Sequence, residues 1–358
     1  MFHLFKKSAN SSAPLPSARG KRLKMPFSDL ALGLEYRGVS VTDSDYWYWC
    51  VSPIYDAAGR VHLFCSRWPV SKQGMGLWFT QSEIAHFVGD TPEGPFEYVE
   101  TVLCNDNLAD RSWQRSPHNP QVFQFGDTYA LLYIVQDTRV KKGGMKTGLM
   151  VSKSLNGPWS FAGSDGIVVQ ESADKNHWTY RSCTGAENPT MAQIGDTYYI
   201  FFKAGRGQNG KMHYGYATSK NITGPYRMCD TPRMDNISYV EDACCFQQNG
   251  RTYLLTTDNF GKNTGIFGAG ILWEMKDGAF HRADAKIGFG VLSDYTAIPP
   301  GATFYENERS GKLERPGILM RDGRPEYFYG CTRTDVLGGG KSQCYVFKIN
   351  QHKIGEKR

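Results

Sequence analysis

Residues 187–202 read ENPTMAQIGDTYYIFF: an acid, an Asn-Pro pair, a short alternating run, a glycine turn and an apolar aromatic run. That is the writing of a β-hairpin, with a turn glycine where the chain reverses and β-branched and aromatic residues in the returning strand. The same writing recurs along the chain. Ser52-Pro53…Gly59, Asn119-Pro120…Gly126, Asn188-Pro189…Gly195, Asp242-Ala243…Gly250 and Arg315-Pro316…Gly323 run 6, 6, 6, 7 and 7 residues from the Pro (or Ala243) to the Gly. The returning strands are VHLF, TYALLYI, TYYIFF, TYLLTT and EYFYG, and successive starts lie 67, 69, 54 and 73 residues apart. Hairpins repeated at this length cannot bury both faces alone, so the fold expected is all-β, a five-bladed β-propeller.

A second repeat runs out of phase with the first. Gly94-Pro95-Phe96, Gly157-Pro158-Trp159 and Gly224-Pro225-Tyr226 share a turn, and Asp277-Gly278-Ala279-Phe280 is a degenerate fourth copy. The stretches MVSKSLN and YATSKNIT before two of these turns read as exposed outer strands. A β-sandwich with frequent turns is the alternative, and two interleaved periods argue against it.

With 358 residues, 39 glycines, 17 prolines and 13% aromatic residues, the chain reads as one domain over residues 30–350. Residues 1–29 form a flexible basic head and 351–358 a tail. No apolar stretch has the length of a membrane span. The apolar start MFHLF is too short for a secretory leader, so the chain as written is expected in the cytoplasm, or in the periplasm or outside the cell had a leader been removed. Much of the +6 charge sits in the head and tail, and no basic stripe interleaved with aromatics crosses the body, which argues against nucleic acid as a partner. The nine cysteines form no CxxC pair, and the odd count suggests buried thiols in a reducing compartment. Cys244 and Cys245, adjacent on one strand, should face opposite sides. Oligomeric state has no signal in the sequence.

Chemistry in a propeller gathers where the inner strands converge. The residues that open them are Asp43, Asp45, Trp47 and Trp49 in the first segment, His118-Asn119, Glu187-Asn188, Glu241-Asp242 and Glu314-Arg315. Packing offers no reason for carboxylates to crowd one axis, where like charges repel and raise one another's pKa. Such crowding points to a site. Asp242 and Glu314 also suit a plainer role, capping a turn or pairing with an arginine. Trp47 and Trp49 alternate with Tyr46 and Tyr48, so one pair faces the core and the other is free to stack on a sugar ring.

These segments resemble the five-bladed propeller glycosidases of glycoside hydrolase family 43. Glu241-Asp-Ala-Cys-Cys-Phe-Gln-Gln-Asn-Gly250, followed by RTYLLT, is similar to that family's general-acid segment, and the resemblance implies that Glu241 is the proton donor. The third segment, where the family carries an acid-tuning aspartate, has Asn188 with Glu187 beside it. In the first, Val51-Ser52-Pro53 stands where the family has an Asp-Pro-Ser start whose aspartate is the base; the nearest acids are Asp45 and Asp43. SRWP (66–69), SEIAH (82–86), DTPEGPF (90–96), HNP (118–120) and ERP (314–316) resemble an uncharacterised family-43-like subgroup.

The resemblance therefore implies hydrolysis at the end of a plant or algal oligosaccharide. Asp45 on the first inner strand and Glu241 on the fourth face each other across the funnel, which suits the wide spacing of an inverting pair, with Asp45 activating water, Glu241 donating the proton and Glu187 keeping Glu241 protonated. His118, Asn119, Asn188 and Arg315 are then substrate binders, with Arg67 joining them if the attacking group is phosphate, as in a glycoside phosphorylase. A propeller that binds glycans without cleaving them is the other alternative. The loops 104–116, 137–147, 171–186, 203–212 and 257–269 wall a pocket and suggest exo action. No metal or other cofactor is expected to be required, although some relatives carry calcium on the axis; a lone His118 reads as an orienting hydrogen-bonder.

Overall fold

The computed structural model describes residues 23–42, 44–70, 74–140, 144–205, 212–235, 240–298, 311–332 and 343–350. Asp43, residues 1–22, the tail 351–358 and parts of the loops 137–147 and 203–212 lie outside them.

Among the described residues, twenty-two strands form five antiparallel sheets. β1 (Leu34–Val41) comes first and is the outer strand of the last sheet. The first blade is β2 (Tyr46–Tyr55), β3 (Val61–Pro69), β4 (Glu83–Gly89) and β5 (Glu97–Leu103). The second is β6 (Gln114–Phe125), β7 (Thr128–Asp137) and β8 (Met145–Ser152), edged by β9 (Ser160–Phe161) and β10 (Ile167–Val169). The third is β11 (Ala186–Ile194), β12 (Thr197–Ala204), β13 (His213–Ser219) and β14 (Arg227–Met228). The fourth is β15 (Val240–Gln248), β16 (Arg251–Asp258) and β17 (Gly270–Lys276), edged by β18 (Ala279–Phe280) and β19 (Lys286–Phe289). The fifth is β20 (Glu314–Arg321), β21 (Arg324–Thr332) and β22 (Gln343–Ile349), completed by β1. Pairing Leu34 with Ile349 and Val41 with Cys344 ties the two ends of the described chain into one sheet, which closes the ring.

Each first-repeat segment is the inner hairpin of one blade. Its turn glycines, Gly59, Gly126, Gly195, Gly250 and Gly323, lie at φ 59–82°, a region that costs an L side chain about 1–2 kcal/mol. The second repeat marks the turn into the outermost strand, as Gly-Pro precedes β5, β9 and β14 and Asp277-Gly278 precedes β18. Met150–Ser152 of MVSKSLN end β8 and Tyr216–Ser219 of YATSKNIT end β13, third strands that are half-buried to buried because the short outer strands cover them. The expected exposure is therefore displaced one strand outward.

The core lies between blades. Five apolar clusters fill the five interfaces, one for each neighbouring pair of sheets. Each sheet is buried on both faces, which a sandwich would not require, and the hydrophobic term is shared around the ring. Cys245 belongs to the layer between the third and fourth blades and Cys244 to the next, as their adjacency on one strand demands. Residues 23–29, expected in the flexible head, pack on the folded body. Met25 is buried in the third layer, Phe27 bridges Ile287, and Ser28 caps the short helix α1 (Asp29–Gly33), so the folded body begins by residue 23. Among the described residues, no helix is long and apolar enough to cross a membrane.

Candidate active site

Every inner strand carries an irregularity at the same height. The pairing with the second strand slips between Trp49 and Ser52, His118 and Gln121, Glu187 and Thr190, Glu241 and Cys244, and Glu314 and Gly317. One residue in each slip, Cys50, Asn119, Asn188, Asp242 or Arg315, sits at φ 53–67°. This is a β-bulge repeated five times. Proline follows it in three blades, where a missing N–H leaves no donor orphaned in the broken ladder.

The bulges correct the first alignment. In the first blade the repeated position is Trp49-Cys50, upstream of Ser52-Pro53, so the counterpart of Asn188 and Asp242 is Cys50. Its buried thiol points at the Pro120 carbonyl, 3.5 Å away. Two extra residues between bulge and proline hid this offset.

The five residues before the bulges, Trp49, His118, Glu187, Glu241 and Glu314, all line one cavity of about 360 Å³ where the inner strands begin. Trp68, Trp78, Phe79, Met145, Thr184 and Met212 complete its apolar wall, and Asn119, Lys203 and Arg315 its polar one. Trp78 stacks on His118 with centroids 4.6 Å apart and on exposed Phe79 at 3.7 Å, building a slab of rings on one side of the cup.

Lys203 dominates the electrostatics. It ends the aromatic run of β12, opposite Glu187 in register, and is 2% exposed. Its Nζ lies 3.0 Å from Glu187 Oε1 and 2.5 Å from Glu241 Oε2. A buried ammonium is tolerated only with such partners. Burial works to lower its pKa, but Glu187 and Glu241 together raise it, so the lysine is charged. For Glu241, burial favours the protonated form, yet Lys203, with Arg315 and Lys312 behind it, outweighs that and holds the carboxyl below its ordinary value. Asn259 donates to the other Glu241 oxygen.

Beneath Glu241 the ring of bulge residues forms the floor. Arg315 Nε meets Asp242 Oδ1 at 2.9 Å, and Asn188 Nδ2 donates to the same oxygen at 3.3 Å. With its amide turned to suit both neighbours, Asn119 accepts from the two terminal Arg315 nitrogens at 3.1 and 2.8 Å and donates to His118 Nε2 at 3.1 Å. Ser82 Oγ lies 2.7 Å from the other ring nitrogen. Burial, and then Arg315, keep His118 neutral by lowering its pKa well below the usual range. Asp242 shifts the other way: burial raises it, Glu241 and Glu314 add to the rise, and Arg315 opposes. Glu241, Asp242 and Glu314 bring carboxylate oxygens within 4.8 Å of one another, answered one for one by Lys203, Arg315 and Lys312.

Seven of the expected residues thus meet in the cup: Trp49, His118, Asn119, Glu187, Glu241, Glu314 and Arg315. The other expected residues that the structure describes do not line it. Asp45 is exposed, one residue before β2, where its carboxylate takes the Ser44 hydroxyl at 3.0 Å, and it is not among the residues that line the cup. Trp47 packs against the layer between the fifth and first blades. Arg67 lies between the rings of Tyr46 and Tyr98, 4.1 and 4.3 Å from their centroids, and its Nε pairs with Glu83 at 2.7 Å. Asn188 and Asp242 face each other in the floor. Glu187 does not keep Glu241 protonated by repulsion, because the lysine between them reverses the sign. Lys203, Asn259 and Lys312 escaped the sequence reading. A lysine closing the run YYIFF was the available signal for the first; the other two lie on connecting segments with no pattern of their own.

Blades and closure define the fold: the five-bladed propeller shared with solved members of glycoside hydrolase families 43 and 117. A family 117 glycoside hydrolase of the marine bacterium Zobellia galactanivorans superposes with a TM-score of 0.60 at 13% identity, over 92% of each chain. A family 43 enzyme from Xanthomonas citri, solved with xylose, gives 0.56 at 14% identity, over 89% of this chain and 91% of that one. A family 43 β-xylosidase/α-arabinofuranosidase from a compost metagenome gives 0.56 at 13%, over 88% and 94%. At such identities the likeness is one of fold. No family model matches the sequence, and no curated protein matches it either.

Proposed function

We propose that the protein is a glycoside hydrolase acting at the end of an oligosaccharide, with Glu187 and Glu241 as its two carboxyl groups. One observation carries the reading: both side chains line the same cup and touch the same ammonium, so those oxygens stand no more than about 5.5 Å apart. Two carboxyl groups facing one cavity are what glycoside hydrolysis asks for, one as acid and the other as base or nucleophile. The inverting scheme with Asp45 as base draws no support from the lining of the cup, which does not include Asp45. The slab of Phe79, Trp78 and His118 offers a face for a sugar ring, and Asn119 and Glu314 offer polar contacts to its hydroxyls. A cavity of this volume is at the small end of ligand sites, which supports exo action. The scheme draws on no cofactor.

The test is a screen of aryl glycosides and plant and algal oligosaccharides, with the first-formed anomer followed by proton NMR. Release of sugar, lost in Glu241→Gln, is the expected result. Turnover unchanged in Glu241→Gln would refute the assigned pair, and strict dependence on inorganic phosphate would make the enzyme a phosphorylase. A second reading, a propeller that binds glycans without cleaving them, is favoured by Cys50 in the first blade and by the ammonium that neutralises both carboxylates. Glycan binding without turnover of any substrate would decide for it.

A further inference from the structure

Glu241 is held from two sides, and a loop of the fourth blade builds the second hold. β16 ends at Asp258, which pairs with Val240, so the next residue, Asn259, falls beside Glu241 and donates its amide to Oε1. Among the described residues Asn259 Oδ1 has no partner, so contact with Glu241 is the one use of this buried amide. Lys203 on Oε2 leaves the carboxyl free to swing about that contact, and a donor on the other oxygen fixes its plane. The segment 259–269 contains no helix or strand, yet it is tied together from within, and Asp258 is the knot. Its carboxylate, fully buried, accepts from the Asn263 and Thr264 backbone N–H groups at 2.9 and 2.8 Å, the Thr264 hydroxyl at 3.0 Å and the Asn263 amide at 3.2 Å. Its carbonyl accepts from Gly261 and Gly268 at 3.2 and 3.0 Å, and its own N–H reaches the Ala269 carbonyl at 2.8 Å.

The loop closes backbone on backbone. Gly261 sits at φ 63°, and a Cβ there would meet the Ile266 carbonyl carbon and the Phe267 nitrogen at 2.6 Å. The segment that precedes the propeller latches it from outside: Lys24 donates its N–H to the Thr264 carbonyl at 3.0 Å and its ammonium to the Lys262 carbonyl at 2.7 Å, and Met25 shares an apolar layer with buried Ile266 and Ala269. We propose that Asp258 is a positioning residue for the reaction in the cup: it folds the loop that sets the Asn259 amide against Glu241 and so fixes that carboxyl group's place. This rests on the glycosidase reading and is indifferent to whether Glu241 serves as acid, base or nucleophile. Misplacing a reacting group by about 1 Å costs up to about 10²-fold in rate, so a loop that touches no substrate still bears on turnover.

Two measurements on the full chain test this. The first needs no substrate: carbon-13 NMR of glutamate-labelled protein, with the Glu241 signal identified by its loss in Glu241→Gln. Asn259→Ala removes a donor to the ionised form and should raise the Glu241 midpoint by about one pH unit, the worth of a hydrogen bond to a charged group. Asp258→Ala and the milder Thr264→Val should raise it too, through the loop. Loss of the Asp258 charge by itself would act downward, because a negative neighbour opposes ionisation, so the direction separates positioning from plain electrostatics. The other charged and titratable groups around Glu241 stay in place in all three variants: Lys203 and Glu187 from the third blade, Asp242 beside it, Arg315, Glu314 and Lys312 towards the fifth, and the Tyr214 phenol. In Asp258→Ala/Asn259→Ala the rise should be no larger than in Asn259→Ala alone. A midpoint that stays put or falls in Asn259→Ala and Thr264→Val, with circular dichroism showing both folded, overturns the proposal. The second measurement uses any glycoside found to turn over. Asn259→Ala and Asp258→Ala should lower kcat by up to about 10²-fold with KM within about twofold, and Asp258→Asn, which keeps one acceptor oxygen for Asn263 and Thr264, should restore part of it. A raised KM with kcat unchanged would sink the positioning role and leave the glycosidase reading standing. Were no glycoside cleaved at all, the glycosidase reading would fail, while the titration still decided whether Asp258 acts on Glu241 through Asn259.

Discussion

The first and fourth blades enter the axis with the same backbone and different chemistry. Both inner strands slip register at the same height, with Cys50 at φ 55° and Asp242 at φ 67°, and both send the preceding side chain into the cup. In the fourth blade that pair is Glu241-Asp242, whose charges draw Lys203 and Arg315. In the first it is Trp49-Cys50, which draws none. The bulge therefore settles where a side chain points, while its charge decides what it recruits. A propeller can change its reaction one blade at a time without touching the ring.

The sharpest way to break this contrast is to remove the fourth blade's charge. Glu241→Gln should lower turnover by about 10²–10⁴-fold, the span of a missing acid–base or nucleophilic carboxyl, while Cys50→Ala leaves kcat/KM within about twofold; equal losses would dissolve the distinction between the blades. Next in size is the floor. Arg315→Met strands Asp242 in the interior and should cost about 3–5 kcal/mol of stability in denaturant unfolding, with Asp242→Asn in the same chain restoring part of it. A floor indifferent to Arg315 would mean the ring is not held by its charges.

The first blade has a buried polar chain of its own, away from the axis. His62 lies 2.8 Å from His86 and 3.3 Å from Asp56, and His86 lies 3.6 Å from Glu100. Burial, and then the neighbouring His62, push His86 down from 6.5 to about 3. The unfolded chain therefore takes up a proton near pH 6.5 that the folded one refuses until about pH 3. Stability should be full above 6.5 and decline as the pH falls between those limits. Thermal unfolding from pH 7.5 to 4 should show this slope, and His86→Phe, which keeps the ring stacked on Phe64, should flatten it. An unchanged slope would assign the acid sensitivity elsewhere. The smallest effect belongs to Asp45→Asn, expected to change stability by less than about 0.5 kcal/mol and activity not measurably, as befits an exposed residue off the cup. A large loss there would restore the first blade as a source of the catalytic base.

The blade count was legible because hairpins write themselves locally. Gly59 through Gly323 mark the inner turns and Gly94, Gly157 and Gly224 the outer ones, and no distant residue is needed to read them. His118, Glu187, Glu241 and Glu314 were legible for a related reason: they hold one place in a repeat. The first blade was misread because its bulge is followed by two residues instead of none before the proline, a shift that leaves the strand pattern intact and changes only which side chain faces the axis. Asp45 was chosen for its charge near that opening, and charge says nothing of direction.

By itself, then, the sequence determined a ring of five hairpin sheets with acidic residues at the mouths of several inner strands, because turn chemistry and strand alternation act over a few residues and survive being read in one dimension. Only the tertiary structure decided which acid is ionised. Coulomb energies depend on distances between side chains far apart in the chain, and the ammonium that sets Glu241 belongs to another blade, 38 residues earlier, brought within 2.5 Å only when the ring closes.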